Sequence, residues 1–224
     1  MDVRTVVIVP AAGSGERLGR SQPKAFVELG GRAMLVLAVE AALASDAVDE
    51  VVVAVPPGRE AEATVLLAPL GARAVAVTGA ATRLASVRAA LEAVPGSAQI
   101  ILCHDAARPM ATPALFRAVI DALADADAVV PVVPVADTVK RVRDGSVVGT
   151  EAREELALVQ TPQAFRAAPL REAHARAERE GLDFTDDASA VEWAGYRVRV
   201  VPGEPGNFKI TSAEDLARAE AARG

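Results

Sequence analysis

The chain has 224 residues, of which 51% are hydrophobic and only 3% aromatic, so its core must be built from aliphatic side chains. A formal net charge of −6 argues against broad nucleic-acid binding, so any phosphate ligand must be held by a local basic site. The apolar runs are far shorter than the roughly 20 residues that cross a bilayer, no signal-peptide pattern is present, and a single cysteine excludes an internal disulfide. We therefore expect a cytoplasmic protein that binds neither membranes nor nucleic acids.

Short aliphatic runs alternate with Ala-, Leu- and Arg-rich amphipathic segments along the chain. The runs predicted as strands are 6–10, 51–55, 74–77, 100–103, 128–133 and 197–201. The segments predicted as helices lie near 33–45, 58–69, 81–94, 112–125, 167–180 and 212–223. Continuous apolar strands, each followed by a helix, indicate a mostly parallel sheet covered on both faces. This pattern predicts a doubly wound α/β fold, in which ligands bind beyond the carboxyl ends of strands.

The first strand is followed by the glycine-rich stretch VPAAGSGERLGRSQPKAF, residues 9–26. It matches neither the Walker A pattern nor the dinucleotide-binding fingerprint, which requires a glycine where this chain has Leu18. A loop between a strand and a helix presents its amides to anions. We expect these amides to line a triphosphate while Arg17 and Lys24 neutralise its charge. The alternative is an ordinary glycine-rich turn with solvated arginines.

A second strand-end loop, LCHDAARPM at residues 102–110, places His104, Asp105 and Arg108 together. Magnesium prefers one or two carboxylates together with phosphate oxygens, so Asp105 is a candidate ligand. Its other possible role is to cap a helix N-terminus, and the two roles are compatible. For His104 we expect a packed or hydrogen-bonded side chain rather than a catalytic base.

The alternation of strands and helices breaks at residues 137–165, where Asp144 and Gly145 lie between two β-rich stretches. An Asp-Gly pair in this setting is a strong β-hairpin signal. We predict one domain spanning residues 1–224, with a β-hairpin arm inserted at about 136–160. An arm of this kind is expected to contact a second subunit.

Lysine is rare in this chain, which has 24 basic residues but lysine only at Lys24, Lys140 and Lys209. A lysine in an arginine-rich chain is a candidate for a site that needs a compact ammonium group. All three lie in loops predicted to converge. Asn207, the only asparagine, precedes Lys209 in the same loop.

Six motifs occur in this order: VPAAGSGERLGRSQPKAF, HDAARP, VADTVKRV, LVQTPQAF, TDDASAVE and GNFKIT. In order and spacing they resemble the 2-C-methyl-D-erythritol 4-phosphate cytidylyltransferases, and the resemblance spans residues 5 to 218. It implies a Rossmann-like nucleotidyltransferase domain that forms a homodimer through the β-arm. It also implies Mg²⁺-dependent transfer of a cytidylyl group from CTP to methylerythritol phosphate, in the non-mevalonate isoprenoid pathway.

The resemblance also implies roles for individual residues. The catalytic set is Arg17, Lys24, Arg153 and Lys209. The expected contacts to CTP are Pro10, Ala11, Ala12, Gly13, Ser14, Gly15, Gly79, Ala80, Ser86 and Asp105, with Asp105 also the metal ligand. The expected contacts to the acceptor are Arg108, Thr138, Arg153, Thr161, Thr185 and Lys209. The arm residues among them are expected to reach the site of the other subunit.

One motif departs from the family pattern, since TGAATRLAS has Ala80 and Ala81 where a glycine and an acid are usual. The backbone amide of Ala80 is still expected to contact the nucleotide.

Two other functions remain open at the level of sequence. One is a cytidylyltransferase for another polyol phosphate such as ribitol 5-phosphate, and the other is an inactive nucleotide-binding protein.

Overall fold

The computed structural model describes residues 3–13, 15 and 22–223, and all structural statements below concern these residues. The strands are β1 (Thr5–Pro10), β2 (Glu28–Leu29), β3 (Arg32–Ala33), β4 (Glu50–Val55), β5 (Ala74–Thr78), β6 (Ile100–Cys103), β7 (Ala128–Pro134), β8 (Lys140–Arg143), β9 (Ser146–Thr150), β10 (Ala157–Val159), β11 (Gln163–Arg166) and β12 (Val198–Pro202). The helices are α1 (Met34–Leu43), α2 (Glu60–Leu67), α3 (Arg83–Ala93), α4 (Pro113–Asp121), α5 (Ala167–Arg179), α6 (Asp187–Trp193) and α7 (Ala213–Arg223).

One large sheet organises the molecule, with the strand order β10-β7-β11-β6-β1-β4-β5 and with β12 also paired to β7. The pairs β1–β4, β1–β6, β4–β5 and β7–β12 are parallel. Strand β11 lies antiparallel between β6 and β7, and β10 pairs antiparallel with β7. The predicted mostly parallel sheet is confirmed, with two antiparallel strands that the sequence pattern did not reveal.

Helices cover both faces of this sheet because its strands are apolar on both sides. Alternate residues of β1 point to opposite faces: Val7 and Val9 pack with α1, α2 and α4, whereas Val6 and Ile8 pack with α3, α5 and α6. This two-sided core is the doubly wound arrangement. Helix α7 packs separately, against the segment that includes β2 and the start of α1.

The predicted Asp-Gly hairpin is present as β8 and β9, which form a separate two-stranded antiparallel sheet. Asp144 and Gly145 both have positive φ angles, 49° and 75°, as a tight type I′-like turn requires. We call residues 140–150 the hairpin. The predicted insertion was longer than the hairpin, because β10 at its end pairs with β7 in the main sheet.

In the described part of the chain, every helix is too short or too polar to cross a bilayer.

Candidate active site

A cavity of about 350 Å³ opens at the carboxyl ends of β1 and β6. The chain runs outward from β1 through β4 to β5 and then returns to β6 on the other side of β1, so the cavity lies at a topological switch point. The lining residues come from the β1 loop, the start of α3, the loop after β6 and the segment before α7. They are Pro10, Ala11, Ala12, Gly13, Gly15, Lys24, Ala25, Ala80, Ala81, Thr82, Arg83, Ser86, Asp105, Ala106, Ala107, Lys209 and Thr211.

The glycine-rich loop forms one wall of the cavity and brings Lys24 to it. The Lys24 amide donates a hydrogen bond of 3.2 Å to the carbonyl oxygen of Gly13. At Gly15, where φ is +80°, an added Cβ would lie 2.8 Å from the Lys24 nitrogen. Glycine therefore allows the two ends of the loop to approach each other. Of the predicted residues in this loop, Ser14 and Arg17 lie outside the described part of the chain.

The loop was expected to precede a helix and to present its amides to an anion at the helix start. In the described residues that follow it, a single 3₁₀ turn at Lys24–Phe26 and the short β2–β3 pair precede α1, which begins at Met34. Residues 16–21 lie outside the described part of the chain, so the orientation of the loop amides stays a prediction.

Asp105 lies on the floor of the cavity between two cations. Its Oδ1 is 3.0 Å from Nε of Arg83, and its Oδ2 is 2.7 Å from Nζ of Lys209. Burial alone would raise the pKa of Asp105, but the charges of Arg83 and Lys209 outweigh this effect and hold the pKa well below its ordinary value. The carboxylate is therefore ionised at neutral pH. Its proposed alternative role as a helix cap was wrong, because the next helix, α4, is capped by Thr112.

Lys209 is positioned by the buried side chain of Asn207 and its surroundings. The Asn207 side-chain nitrogen donates to the Thr161 main-chain carbonyl oxygen at 2.9 Å, and the Asn207 main-chain carbonyl oxygen accepts from Arg108 at 2.7 Å. On the other side of the lysine, the Ile210 amide donates to the Ala107 carbonyl oxygen at 2.9 Å. These contacts fix the Lys209 backbone against the loop after β6.

Thr161 and His104 support Asp105 from behind. The Thr161 hydroxyl accepts a 2.9 Å hydrogen bond from the Asp105 amide and lies 3.1 Å from Nδ1 of His104. His104 packs edge-on against Phe116, and burial lowers the pKa of His104 to about 4. A neutral, enclosed imidazole confirms the expectation that His104 is a packed side chain.

The loop between β5 and α3 is held by Ser86 in a way that changes the expected role of Ala80. The Ala80 amide donates to Ser86 Oγ at 3.0 Å, so this amide is already engaged. The Ser86 hydroxyl in turn lies within hydrogen-bond distance of the carbonyl oxygens of Ala80 and Thr82. Gly79 lies where the loop contacts the β1 loop, since an added Cβ would lie 2.8 Å from Cβ of Ala12.

Other predicted residues are not brought to this cavity. Thr138, Arg153 and Thr185 are exposed and do not line it, and Nη1 of Arg153 donates to the Ala136 carbonyl oxygen at 2.9 Å. Arg108 and Thr161 lie behind the cavity wall, where their hydrogen bonds hold loops together. A site that uses Thr138, Arg153 or Thr185 therefore needs a conformational change or a second copy of the chain.

Arg83 lines the cavity, although no role was predicted for it. The acids after Thr185 were expected to be ordinary helix-capping residues. Asp186 does cap α6, accepting from the Ser189 amide at 2.9 Å, but Asp187 is fully buried and pairs with Arg83. In TGAATRLAS, Gly79 and Arg83 are retained from the family pattern while Ala80 and Ala81 depart from it, and the retained arginine was the available signal.

Residues 5–223 match the family model described as IspD: 2-C-methyl-D-erythritol 4-phosphate cytidylyltransferase. The chain is 50% identical over 218 residues to the 2-C-methyl-D-erythritol 4-phosphate cytidylyltransferase of Rhodococcus opacus (strain B4), covering 96% of this chain and 93% of that protein. It is 48% identical over 221 residues to the enzyme of that name from Deinococcus radiodurans, covering 99% of this chain and 90% of that protein. The crystal structure of the 2-C-methyl-D-erythritol 4-phosphate cytidylyltransferase from Thermus thermophilus superimposes with a TM-score of 0.82 at 42% identity, covering 99% of this chain and 98% of that one.

Proposed function

Because the chain belongs to the 2-C-methyl-D-erythritol 4-phosphate cytidylyltransferase family, we infer that its cavity is where a cytidylyl group passes from CTP to 2-C-methyl-D-erythritol 4-phosphate. The products are 4-diphosphocytidyl-2-C-methyl-D-erythritol and pyrophosphate, and the reaction belongs to isoprenoid precursor biosynthesis. The observation that carries this site assignment is the convergence of the glycine-rich loop, Lys24, Asp105 and Lys209 at the sheet's switch point.

The chemistry needs no protein nucleophile and no general base. The attacking group is a phosphate monoester, whose second pKa of about 6 leaves it mostly ionised at neutral pH. The difficulty is electrostatic, because a dianion must approach the α-phosphorus of a polyanion in line. Catalysis therefore consists of positioning the reactants and stabilising charge.

The nucleotide end of the site is assigned to the glycine-rich loop and its cations. The amides of residues 12–15 and the ammonium of Lys24 would hold the triphosphate, and the resemblance adds Arg17. Pro10 and Ala11 would contribute through the shape of the loop, because proline has no N–H and the Ala11 amide donates to the Ala54 carbonyl oxygen. Gly79 and Ser86 would keep the adjoining loop against this wall. Ala80 would contribute through the shape of the loop, because its amide is already bonded to Ser86.

The acceptor end is assigned to Lys209, whose ammonium would hold the phosphate of methylerythritol phosphate. Thr138, Arg153 and Thr185 would complete this end in a homodimer, with the hairpin region of one subunit reaching the site of the other. Exposed apolar side chains on the hairpin and β10, including Val142, Val147 and Leu158, support such an interface. In this proposal the chain acts as one domain with an arm, in the cytoplasm.

A magnesium ion at this cavity would be held by Asp105 together with phosphate oxygens of CTP. Asp105 is the one acid among the described lining residues, and no cluster of three or more possible metal-ligating side chains (His, Cys, Asp or Glu) occurs in residues 3–13, 15 and 22–223. A carboxylate has about four lone-pair sites, and two ion pairs leave room for a further ligand. When bound, the ion would neutralise charge on the triphosphate.

Pyrophosphate release from the purified protein with CTP and Mg²⁺ tests this function. We expect release with methylerythritol phosphate and far less with ribitol 5-phosphate. Equal or greater release with ribitol 5-phosphate would favour the other polyol acceptor. An absence of release with both acceptors would support a nucleotide-binding protein without this activity.

Lys24→Ala is expected to lose turnover without losing the fold. Removing one cation from the charge-stabilising set should lower kcat by about 10²–10³-fold. Thermal unfolding should change little because Lys24 lines the cavity and does not belong to the apolar core, unlike its neighbours Ala25 and Phe26. Arg17→Ala is expected to behave in the same way, and near-normal kcat in either variant would contradict the assignment.

A further inference from the structure

A network of buried charges continues behind the cavity floor. Besides its contact with Asp105, Arg83 lies with Nη1 2.7 Å from Oδ2 of Asp187 on α6. The other oxygen of Asp187 is 3.1 Å from Nε2 of His174 on α5. Asp187 is fully buried and His174 almost so. Polar contacts thus connect the cavity to two helices that contribute no described residue to its lining.

The packing of α6 does not explain why its first residue, Asp187, is a carboxylate. Its neighbours Ala188, Ala190 and Val191 are buried in an apolar cluster. Removing ionised groups from water is costly, and apolar residues of similar volume often stabilise a core as well. Burial acts to raise the pKa of Asp187, but the Arg83 charge and the His174 hydrogen bond lower it to about 2. Asp187 is therefore ionised at neutral pH, where it pairs with Arg83.

Arginine suits the place between these two carboxylates. Its planar guanidinium presents Nε to Asp105 and Nη1 to Asp187 at the same time. A lysine offers one compact ammonium and cannot hold two carboxylates in this fixed geometry.

We propose that Asp187, held by His174, is a positioning residue: it fixes Arg83, which holds the Asp105 carboxylate towards the bound nucleotide. The proposal rests on the proposed function, in which Asp105 contacts the phosphates of CTP. It assigns α5 and α6 a task in nucleotide binding that neither helix performs by direct contact.

The test is the affinity for CTP in magnesium-containing buffer without acceptor, measured by calorimetry so that no turnover occurs. Asp187→Asn keeps the shape of the side chain and removes its charge. We expect CTP binding to weaken about 10-fold or more, the scale found when groups that orient a ligating side chain are removed. Affinity equal to that of the unmodified chain would overturn the proposal.

Val191→Ala is the matched control, because it disturbs the packing of the same helix without touching a charge. It should lower the unfolding temperature and leave CTP affinity unchanged. Equal losses of CTP affinity in the Val191→Ala and Asp187→Asn variants would show a merely structural role and would overturn the proposal.

A double-mutant cycle with Arg83→Lys tests whether Asp187 acts through Arg83. The double variant should bind CTP no more weakly than Arg83→Lys alone, whereas additive losses would overturn the proposal.

If Asp187→Asn does not fold, His174→Gln replaces it as the test variant. We expect a smaller loss of CTP affinity in His174→Gln, and an unchanged affinity would overturn the proposal. Failure of the unmodified chain to bind CTP would overturn the proposed function, and this inference with it.

Discussion

The Lys209 side chain is 41% exposed, and its ammonium pairs with Asp105 across 2.7 Å. Asp105 is nearly buried and would keep only Arg83 as a cationic partner, so losing the ion pair should lower stability by about 1–3 kcal/mol. In Lys209→Gln the loss of the ammonium should also lower kcat/KM for methylerythritol phosphate by about 10²–10³-fold, as for other charge-stabilising groups. Lys209→Arg keeps the charge. If kcat/KM in this variant recovers only in part, the compact shape of the ammonium also matters.

The control for this prediction is Arg117→Gln on α4. It removes the same formal charge from an exposed ion pair with Asp46, away from the cavity. Initial rates with varied acceptor should match those of the unmodified chain. If Arg117→Gln and Lys209→Gln lose activity equally, net charge rather than position explains the effect.

Single residues were predictable from the sequence where composition made them stand out. Lys24 and Lys209 were selected because lysine is rare, and both line the cavity. The prediction was wrong for Lys140, which was selected on the same ground but is exposed on β8, where its ammonium donates to the Thr150 hydroxyl. The partnership of Arg83 with Asp187 was not predictable, since the two residues lie far apart in sequence and only the packing of α3 against the α5–α6 pair brings them together. Charge pairing across a fold leaves no periodic signal.

At the scale of elements, the start of α3 depends on a close contact at Gly79. An alanine there would place its Cβ 2.8 Å from Ala12 Cβ and 3.1 Å from the Val55 carbonyl oxygen. We expect Gly79→Ala to separate the two cavity loops, to lower stability by about 1–3 kcal/mol and to weaken CTP binding. Gly96→Ala, which would contact nothing within 4 Å, should be near neutral in denaturant unfolding and in CTP titration.

Helix α7 begins with a reciprocal cap that ends the segment carrying Lys209. Asp215 Oδ2 accepts from the Ser212 amide at 2.9 Å, and Ser212 Oγ accepts from the Asp215 amide at 3.2 Å. Hydrogen bonds from Thr211, then Ser212, lower the pKa of Asp215 to about 2. Asp215→Ala should therefore cost about 1 kcal/mol at neutral pH, the usual value of an N-terminal cap.

The pH dependence of that loss follows from the sign of the pKa shift. A carboxyl whose folded pKa lies below its unfolded value stabilises the protein above the unfolded pKa, near 4. The stabilisation disappears as pH falls through the folded value, near 2. Urea unfolding of the unmodified chain and of Asp215→Ala between pH 7 and 3 should show that the difference in their free energies of unfolding shrinks below pH 4. A difference that grows as the pH falls would contradict the role of Asp215 as an ionised cap.

Helices and strands were predictable where a hydrophobic pattern, either a continuous apolar run or a helical repeat, extends over several residues. The six predicted strands and the long helices match the structure to within a few residues, because buried parallel strands are continuously apolar. The pair β2–β3 has only two residues in each strand, too few for a pattern. The antiparallel insertion of β11 depends on which edge of β6 is open, and this is a property of the assembled sheet.

At the scale of the whole molecule, the separation of Arg153 from the cavity leads to a prediction about subunits. In the proposed homodimer, the Arg153→Ala and Lys24→Ala proteins should each lose nearly all activity when expressed alone. In a mixed population, half the dimers combine one of each, and such a dimer has one complete site if the arm acts in the partner. Co-expressed chains should then recover roughly one quarter of normal activity. No recovery in separated mixed dimers would place Arg153 in its own subunit's site.

Strand β11 also determines when the molecule can fold during synthesis. Residues 163–166 lie between β6 and β7, which leave the ribosome well before them, and β12 pairs with β7 later still. Until β11 arrives, both earlier strands carry open, apolar edges that can pair with other chains. The nascent chain is therefore most prone to aggregation between the synthesis of β7 and that of β11. Chains truncated after β7 should bind strongly to ribosome-associated chaperones.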